Sequence, residues 1–594
     1  MKGMLFVTVV TMFMVGCGGA VNKVKTDPVN NTLVEGDQNE SAPVEGRAET
    51  NKNRPPVIFN QSVETVESAD SIIILGPVVD IDGDTIQYTA SDSLNVTQSS
   101  QPNEIIYNRS SVGVEVLTVA ASDNIAGDAE AIITITTAAA LPSNYVTSRE
   151  FINPVYGSNV PVKGESRVDP ITGTKITRLT DSSELDGTDD ALIVYSRYTP
   201  ENSSGKYFLA FGSNSTSSWI IERETGDVIT EVLSMNNRSI GESHEVRWDI
   251  SGNFPNRLYY RDGMSFYRVD LVSHADDHDG SIYSFEHELL KDFSSLAPTS
   301  LKIYNDVEGD SSNDSDHWAF MAVHYDGVTF VVDAFIHYQV STGNTHIMRP
   351  EDLANTNLDL EKDKDYFSYR PNMVEVSPLG TGIVIHMGRK WDNADYGGTG
   401  VLYIDTWFDG PHLWPLDFDH AKQAPVKISV GETHAGWSFD EAGREMFVSQ
   451  NNRTDKLDAI YVSGPDSGYD NRLEMAAHGD FGWSNGFHYG KMPASKKGWA
   501  FINTYSNLNS DRHETDWAAD QFIMMKLDDE ANNPLIWRVA PNYNDYAGNY
   551  RDEAPAAINT QGNRIYATSN WGGLLPNREV FVFELPSNWN AVLE

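Results

Sequence analysis

Three histidines occupy matching places in a pattern that returns along the chain. When the turns of the pattern are aligned, His434 and His488 fall at equivalent positions and His244 falls one place away. Imidazole changes its charge near neutral pH, so such histidines suit proton transfer or the binding of a divalent cation. The other repeats carry further polar residues at this position: Ser196, Asn305 or Asp306, Arg370 with Asn372, and Glu553. One histidine in such a place is more often structural, whereas three favour a functional site.

The repeated pattern is a polar residue, a short strand, a turn rich in Ser, Pro, Asn, Asp and Gly, and an apolar strand. It returns seven times, at 194–211, 244–261, 304–322, 370–387, 432–450, 486–504 and 552–570. A period of roughly 50 to 65 residues is typical of propeller blades. Val, Ile, Thr and Tyr are plentiful and long amphipathic helical patterns are missing. We therefore predict an all-β chain with a seven-bladed β-propeller over residues 145–594.

The two ends of the propeller region are each incomplete. Residues 168–180 predict an outer strand pair with no inner strand before it, and the last repeat ends after about three strands. We expect both ends to complete one blade, which closes the ring and removes a sheet edge. The first strand of a propeller blade lines the central channel. His244 and His488 should then face the channel mouth and pack little, so that replacement by alanine changes stability by no more than about 0.5 kcal/mol.

The N-terminal residues resemble a bacterial lipoprotein precursor. Residues 1–17 combine Lys2, an apolar run and Gly16 before Cys17, which predicts a signal peptide and lipid attachment at Cys17. This implies an anchor in a bacterial outer membrane or cell surface, or the periplasm. The single cysteine excludes internal disulfides and a cysteine-based zinc or nucleophile site. Residues 18–53 contain few large apolar residues and predict a disordered tether.

Residues 54–140 predict a small β-sandwich of the cadherin or immunoglobulin type. Its strand signals lie at 71–75, 85–88, 114–118 and 131–136. The Asp-Ile-Asp-Gly-Asp turn at 80–84 and the Ala-Ser-Asp at 121–123 resemble the cadherin-like domains of bacterial surface proteins. Asp80, Asp82 and Asp84 are candidates for a structural calcium site. The alternative is an acidic turn that is merely solvated.

The charge of the chain excludes several classes of function. With 85 acidic and 43 basic side chains the net charge is −42, which disfavours binding to nucleic acid. No Walker, Rossmann, Gly-x-Ser-x-Gly or His-Glu-x-x-His signature is present, which removes the commonest nucleotide-binding, hydrolase and metalloprotease interpretations. Basic residues nevertheless recur near the predicted mouth: Arg197, Arg247, Arg261, Arg370, Arg389, Lys390 and Lys491.

Several repeat motifs resemble those of seven-bladed propeller polysaccharide lyases. They are His-Glu-Val-Arg-Trp at 244–248, Asp-His-Trp-Ala-Phe at 316–320, Val-Ser-Pro-Leu-Gly at 376–380, His-Ala-Gly-Trp at 434–437, Lys-Gly-Trp-Ala-Phe at 497–501 and Arg-Ile-Tyr-Ala-Thr-Ser-Asn-Trp at 564–571. The chain is most similar in kind to the ulvan lyases and more distantly to the oligogalacturonate lyases, over residues 145–590. The resemblance implies a carbon–oxygen lyase that cleaves a uronate-containing, ulvan-like algal polysaccharide by β-elimination.

Such a lyase needs a group that neutralises the uronate carboxylate, a base for the C5 proton and an acid for the leaving oxygen. The resemblance makes His244 and His488 candidates for proton transfer, and Arg370 with Asn305 candidates for the carboxylate. Tyr304 is an alternative acid or else a core aromatic. Candidates for substrate binding are Arg247, His434, Asn372 and Lys491.

Two alternatives to this assignment stay open. The chemistry requires no cofactor, but His244, His434 and His488 could instead share a divalent cation, as a histidine cluster does in the oligogalacturonate lyases. A non-catalytic carbohydrate-binding or surface-receptor propeller would use the same rim for capture alone. In each case we expect a monomer whose partners are an anionic polysaccharide and, through the lipid, a membrane.

Overall fold

A computed structural model provides the fold of the chain. It describes residues 56–58, 61–66, 71–74, 78–79, 85–91, 93–98, 104–109, 113–123, 125, 128–138, 146–151, 160–185, 188–213, 218–232, 245–275, 281–305, 308–327, 330–349, 352, 371, 373–386, 410–419, 421–430, 434–451, 454–483, 485–506, 516–527, 533–545, 552–553 and 555–593. The predicted residues that lie outside these ranges are Cys17, Asp80, Asp82, Asp84, His244, Asp306, Arg370, Asn372, Arg389 and Lys390.

The chain divides into two compact units. One comprises residues 1–141 with 586–594, and the other comprises residues 142–585. Helices are short in the described parts of both: the α-helices are His478–Phe481 and Trp589–Leu593, and the 3-10 helices include Ser182–Glu184, Tyr469–Asn471 and Ala494–Lys496. None of the helices within the described ranges has the length and apolar character needed to cross a membrane.

The described strands of the first unit form small sheets around an apolar core. They are β1 (Val57–Ile58), β2 (Gln61–Val66), β3 (Ser71–Ile74), β4 (Val78–Val79), β5 (Gln87–Ala90), β6 (Val96–Gln98), β7 (Glu104–Tyr107), β8 (Gly113–Ser122) and β9 (Asp128–Ala138). The larger sheets have the orders β2-β9-β8-β5 and β3-β7-β6. Alternate residues of both sheets, among them Ile73, Ile105 and Ile133, pack into one core. The four strand signals in the sequence each overlap a strand, and the sandwich stays a prediction.

The second unit consists mainly of antiparallel strands. They are β10 (Ser166–Val168), β11 (Lys175–Arg178), β12 (Ala191–Leu192), β13 (Tyr207–Gly212), β14 (Ser218–Glu222), β15 (Val228–Glu231), β16 (Arg247–Trp248), β17 (Arg257–Asp262), β18 (Ser265–Ala275), β19 (Ser281–Asp292), β20 (Lys302–Tyr304), β21 (His317–Tyr325), β22 (Phe330–Gln339), β23 (Thr345–Met348), β24 (Met373–Val376), β25 (Ile383–His386), β26 (His412–Trp414), β27 (Val426–Lys427), β28 (Ala435–Phe439), β29 (Glu445–Asn451), β30 (Lys456–Tyr461), β31 (Leu473–Ala477), β32 (Asn485–Tyr489), β33 (Trp499–Ser506), β34 (Gln521–Lys526), β35 (Ile536–Pro541), β36 (Ala556–Ile558), β37 (Arg564–Ser569) and β38 (Glu579–Glu584).

These strands form a β-propeller. Within the described residues of this unit, six sheets each take four consecutive strands from β12 to β35, and a further sheet has the order β10-β11-β38-β37-β36. We number the sheets from first to seventh in that order. We call the first strand of each of the six four-stranded sheets its inner strand, and in the seventh sheet the inner strand is the edge strand β36. The inner strands are thus β12, β16, β20, β24, β28, β32 and β36. The predicted number of seven blades for the whole ring stays a prediction.

Neighbouring sheets pack face to face around the ring. The first and second sheets share a core that includes Tyr207 and Trp248. The seventh sheet packs back on the first through Tyr566 and Phe208. In the seventh sheet β11 pairs with β38, with Lys175 opposite Glu584. The prediction that the two ends of the region complete one sheet is confirmed.

The turn after the inner strand is built alike in several sheets. The Asn559 side-chain oxygen accepts hydrogen bonds from the backbone N–H groups of Asn563 and Arg564. The Asp440 carboxylate accepts one from Arg444 in the same way. Gly443 and Gly562 have φ of 83° and 69°, a region that favours glycine. Each inner strand therefore turns back at its end, while its start faces the other end of the channel.

Candidate active site at the channel mouth

His488 is the centre of a buried aromatic and acidic cluster. Because strand residues alternate, Phe487 and Tyr489 point into the core of the fifth and sixth sheets and His488 points to the opposite side of β32. Its Nε2 lies 3.2 Å from the Glu553 carboxylate. Its ring contacts Tyr195 edge-on, with centroids 5.4 Å apart. Burial lowers the pKa of His488 to about 3, so its imidazole is neutral at physiological pH.

His434 stacks on His488 and has a defined tautomer. The two imidazole centroids lie 4.8 Å apart with an interplanar angle of 22°. Nδ1 of His434 lies 2.6 Å from the carbonyl oxygen of Phe487 and donates to it, which leaves Nε2 as the acceptor nitrogen. Burial and the neighbouring His488 lower the pKa of His434 to about 4. The stacked pair is therefore neutral, and the hydrogen bond to Phe487 orients the His434 ring.

Glycine lets the inner strands of the fifth and sixth sheets approach closely enough for this stacking. A Cβ at Gly436 would strike the carbonyl oxygen of Gly490 on the neighbouring strand segment. Nearby, the backbone N–H of Met492 donates to the carbonyl oxygen of Trp437 over 2.8 Å. The close approach aligns the start of β28 with β32, and His434 comes to lie on His488.

Glu553 is the member of the cluster with a titration near neutral pH. Burial raises the pKa of the Glu553 carboxyl to about 7, against the opposing effects of His434 and a hydrogen bond from Tyr505. The Tyr505 ring stacks on His488 with centroids 5.0 Å apart. Any side chain at Gly486 would strike the Tyr505 ring, so glycine makes room for it. The cluster thus combines a carboxyl group that can gain or lose a proton near pH 7 with a phenol and two imidazoles.

A buried ion pair crosses the channel near this cluster. Arg197, which follows the inner strand of the first sheet, pairs with Glu375 on the inner strand of the fourth. His386 Nε2 lies 2.8 Å from the same carboxylate. Burial alone would raise the pKa of Glu375, but Arg197 and His386 outweigh it and lower the pKa. Glu375 is therefore ionised and holds Arg197, which contributes electrostatically to the low pKa of His434.

Lys491 takes part in a second pair that crosses the ring. Its Nζ donates to Asp310 over 2.8 Å and to the carbonyl oxygen of Ser311 over 2.9 Å. A cavity of about 260 Å³ lies beside this pair, lined in part by Thr199, Ile250 and residues 558–560. Those residues lie at or beyond the ends of inner strands, so the cavity is at the opposite end of the channel. Lys491 is thus separated along the channel from the histidine pair.

The other predicted residues that the structure describes pack within the second, third and fourth sheets. Arg247 lies 3.5 Å over the Tyr198 ring and donates to the carbonyl oxygen of Gly309. Asn305 donates from its side chain to the same carbonyl over 3.3 Å. Tyr304 is buried in the apolar core of the third and fourth sheets. The contacts described here for these three residues lie away from His488, and their predicted roles stay predictions.

The structure corrects two expectations and adds two residues to the candidate site. Lys491 was expected at the mouth, but its partners lie at the other end of the channel. The expectation that His488 packs little is wrong, since only 2% of it is exposed and it contacts rings on several sides. Glu553 was expected on the rim without a role, and Tyr505 was missed. Tyr505 follows directly on the predicted repeat 486–504, and the glycine opposite it was the available signal.

A metal centre finds no support in the described part of the chain. Within those ranges no group of three or more His, Cys, Asp or Glu side chains has a geometry that could hold a metal ion. His244, the third member of the predicted histidine set, lies outside them. The metal-dependent alternative stays a prediction.

Comparisons with known proteins give a likeness to solved structures alone. No protein-family model matches it, and no curated protein does. Among solved structures it is similar to an oligogalacturonate lyase from Vibrio parahaemolyticus, with 10% identity over 71% of this chain and 96% of that one and a TM-score of 0.44. An oligogalacturonate lyase in complex with manganese has 12% identity over 72% and 98%, with a TM-score of 0.42. The Cps50 (Swd1) β-propeller domain of Myceliophteria thermophila has 11% identity over 66% and 96%, with a TM-score of 0.33.

Proposed function

We propose that this chain is a polysaccharide lyase that cleaves a uronate-containing polymer by β-elimination at the mouth of a seven-bladed propeller. The observation that carries the proposal is the contact between His488 and Glu553, whose pKa is raised to about 7. General acid–base catalysis works best with groups that titrate near the working pH. Glu553 and Tyr505 are both only partly buried, so they can meet a ligand from the mouth.

In the proposed reaction Glu553 accepts one proton and Tyr505 donates another. Ionised Glu553 removes the proton at C5 of the uronate, and the electron pair of that C–H bond forms the C4–C5 double bond. The bond between C4 and the glycosidic oxygen breaks, and Tyr505 donates its hydroxyl proton to the leaving oxygen. Neutral His488 holds the Glu553 carboxylate through Nε2, and the acceptor Nε2 of His434 lies on the neighbouring ring.

The uronate carboxylate must be neutralised before its C5 proton can be removed. We propose Arg370 and Asn305 for this task, as the sequence predicts, with Arg197 as a further cation in the channel. The Arg197 Nε is buried and has no hydrogen-bond partner among the described residues. A guanidinium with a donor left over could turn toward a carboxylate while Glu375 keeps its position.

The remaining proposals concern the surroundings of the site. We propose lipid attachment at Cys17, a tether over residues 18–53 and a cadherin-like sandwich before the propeller. A structural calcium ion at Asp80, Asp82 and Asp84 belongs to the same proposal. The chemistry itself is assigned to side chains without a cofactor.

A second function is capture of a polysaccharide without cleavage. The observation that favours it is the internal pairing of Arg197, the cation near the histidine pair, with Glu375. A receptor would need fewer free charges at the mouth than a lyase.

Incubation of the purified chain with ulvan, polygalacturonate, rhamnogalacturonan and alginate tests the proposal. The ultraviolet absorbance of an unsaturated uronate reports elimination, and a parallel assay counts new reducing ends. We expect both signals to rise together on at least one polymer. New reducing ends without absorbance would indicate hydrolysis, and silence on every polymer combined with tight binding would favour capture.

A further inference from the structure

Trp483 is an exposed aromatic residue held in a fixed orientation. It is 62% exposed, although a tryptophan side chain is costly to leave in water. A Cβ at Gly479 would lie only 3.0 to 3.2 Å from atoms of the indole, so the ring lies close against Gly479. The His478 ring lies beside the indole, with centroids 5.6 Å apart and an interplanar angle of 46°. One face of the indole is thus supported, and the side chain remains largely open to solvent.

The segment that carries Trp483 is anchored by the core. Phe481 is fully buried against Phe487 and Trp517. The Trp517 indole N–H donates to the carbonyl oxygen of Asp480, and Gly482 N–H donates to that of Gly479. Gly482 has a φ of 93°, and a side chain there would strike the Asp516 carboxylate. The exposure of Trp483 is therefore imposed by a rigid turn.

Trp483 lies on the same end of the channel as the His488 cluster. The segment 478–483 follows the last strand of the fifth sheet and leads into β32, the inner strand that carries His488. The two residues are five apart, so the backbone can separate them by at most about 18 Å. A polysaccharide bound at His488 could reach Trp483 with a sugar unit farther along the chain.

The surroundings of Trp483 are acidic. The Asp516 carboxylate lies against Gly482, and Asp480 lies on the same turn. Arg149 interacts electrostatically with Asp480 and offsets part of its charge. A uronate placed here would meet like charge, whereas the hydroxyl groups of an uncharged sugar could donate to the carboxylates.

We infer that Trp483 is a platform on which an uncharged sugar unit of the polymer stacks, with Asp516 as an acceptor for its hydroxyl groups. The inference rests on the proposed function for the position of the polymer. It specifies the substrate class as a polysaccharide in which uronate alternates with an uncharged sugar. The platform positions the polymer and takes no part in proton transfer.

Binding to two alternating polymers tests this inference: rhamnogalacturonan backbone and desulfated ulvan, in both of which uncharged rhamnose alternates with uronate. Isothermal titration of Trp483→Ala should show about tenfold weaker binding than the unaltered chain, and Trp483→Phe should retain most of the affinity. The affinity for polygalacturonate, which carries a carboxylate on every unit, should change little in Trp483→Ala. Phe254→Ala is the matched control, because Phe254 is an aromatic residue 48% exposed on the turn after the inner strand β16, at the other end of the channel.

The outcomes separate the inference from the proposed function. Unchanged binding by Trp483→Ala, with an unchanged KM if the polymer is cleaved, would overturn the platform. Binding of neither alternating polymer by the unaltered chain would overturn it as well. Absence of elimination on every polymer, together with a loss of binding in Trp483→Ala alone, would refute the lyase proposal and retain the platform. Melting curves verify that both alanine variants are folded.

Discussion

Replacement of Glu553 by glutamine should abolish most of the elimination activity while making the protein more stable. Glutamine keeps the shape and can still contact His488 and Tyr505, but it cannot accept a proton from C5. Loss of a general base costs about 10²- to 10⁴-fold in rate. Few structural side chains would show this combination, since removal of a stabilising contact lowers stability.

The gain in stability follows from the pKa of Glu553. The rise of the Glu553 pKa from 4.5 to about 7 means that folding disfavours the ionised carboxylate by at most about 3.4 kcal/mol. Contact with solvent reduces this to about 2 kcal/mol, because 14% of the side chain is exposed. The stabilising effect of the protonated carboxyl is complete below pH 4.5 and is lost as the pH rises through 7. Glu553→Gln should therefore exceed the unaltered chain in stability at about pH 8 and match it at about pH 4.5.

Urea unfolding and the elimination rate are measured on the same preparations at about pH 8. Glu579→Gln serves as the control, because Glu579 is also buried with a raised pKa but is bonded to Arg178 and Thr180 in the seventh sheet. That variant should lose stability and keep the rate per folded molecule. A Glu553→Gln variant that retains the full rate, or that loses rate and stability together, would refute the assignment of Glu553 as the base.

Three further results are expected. His488→Ala should lose about 1 to 3 kcal/mol of stability as well as rate, because it empties a stacked, buried site; unaltered melting would contradict this. The stability of the chain should fall as the pH is lowered from about 6.5 to 4. Four histidines have pKa values of about 3 to 4 and stay neutral in the folded chain but gain protons when it unfolds: the buried His337, His386 and His488 and the half-buried His434. Each histidine lowers the free energy of unfolding by at most about 1.4 kcal/mol per pH unit. A urea midpoint as high at pH 5 as at pH 7 would contradict this prediction. Thorough EDTA treatment should leave the rate unchanged, and a loss restored by manganese or zinc would favour the metal-dependent alternative.

Much of the fold could be predicted from the sequence, because the pattern of strands and turns that forms a propeller blade lies within one short stretch of the chain. Each of the seven returns adjoins or contains an inner strand and its partner, such as Ala435–Phe439 with Glu445–Asn451 for the return at 432–450. The joining of the two ends of the propeller region in one sheet could also be predicted. The first two strands of the region lack an inner strand, and the last repeat lacks outer strands, so each end supplies what the other needs. Strand periodicity and turn residues suffice for both conclusions.

The candidate site could be predicted only in part, because it depends on contacts between strands far apart in sequence. Alignment of turns brought out His434 and His488, and their stacking depends on the close approach at Gly436, which no repeat shows by itself. The same alignment placed Lys491 at the mouth, whereas its neighbours lie at the other end of the channel. The role of Glu553 follows from its burial, and burial of a carboxyl beside two histidines is a tertiary property.

The pH dependence of kcat/KM for elimination on the active polymer tests the central claim most directly. A base with the environment of Glu553 predicts a rate that rises through an apparent pKa of about 7 and then levels off. The same profile should be absent in Glu553→Gln. A rate already complete at about pH 5, or one that does not change between about pH 5 and pH 9, would contradict proton abstraction by Glu553 at this site.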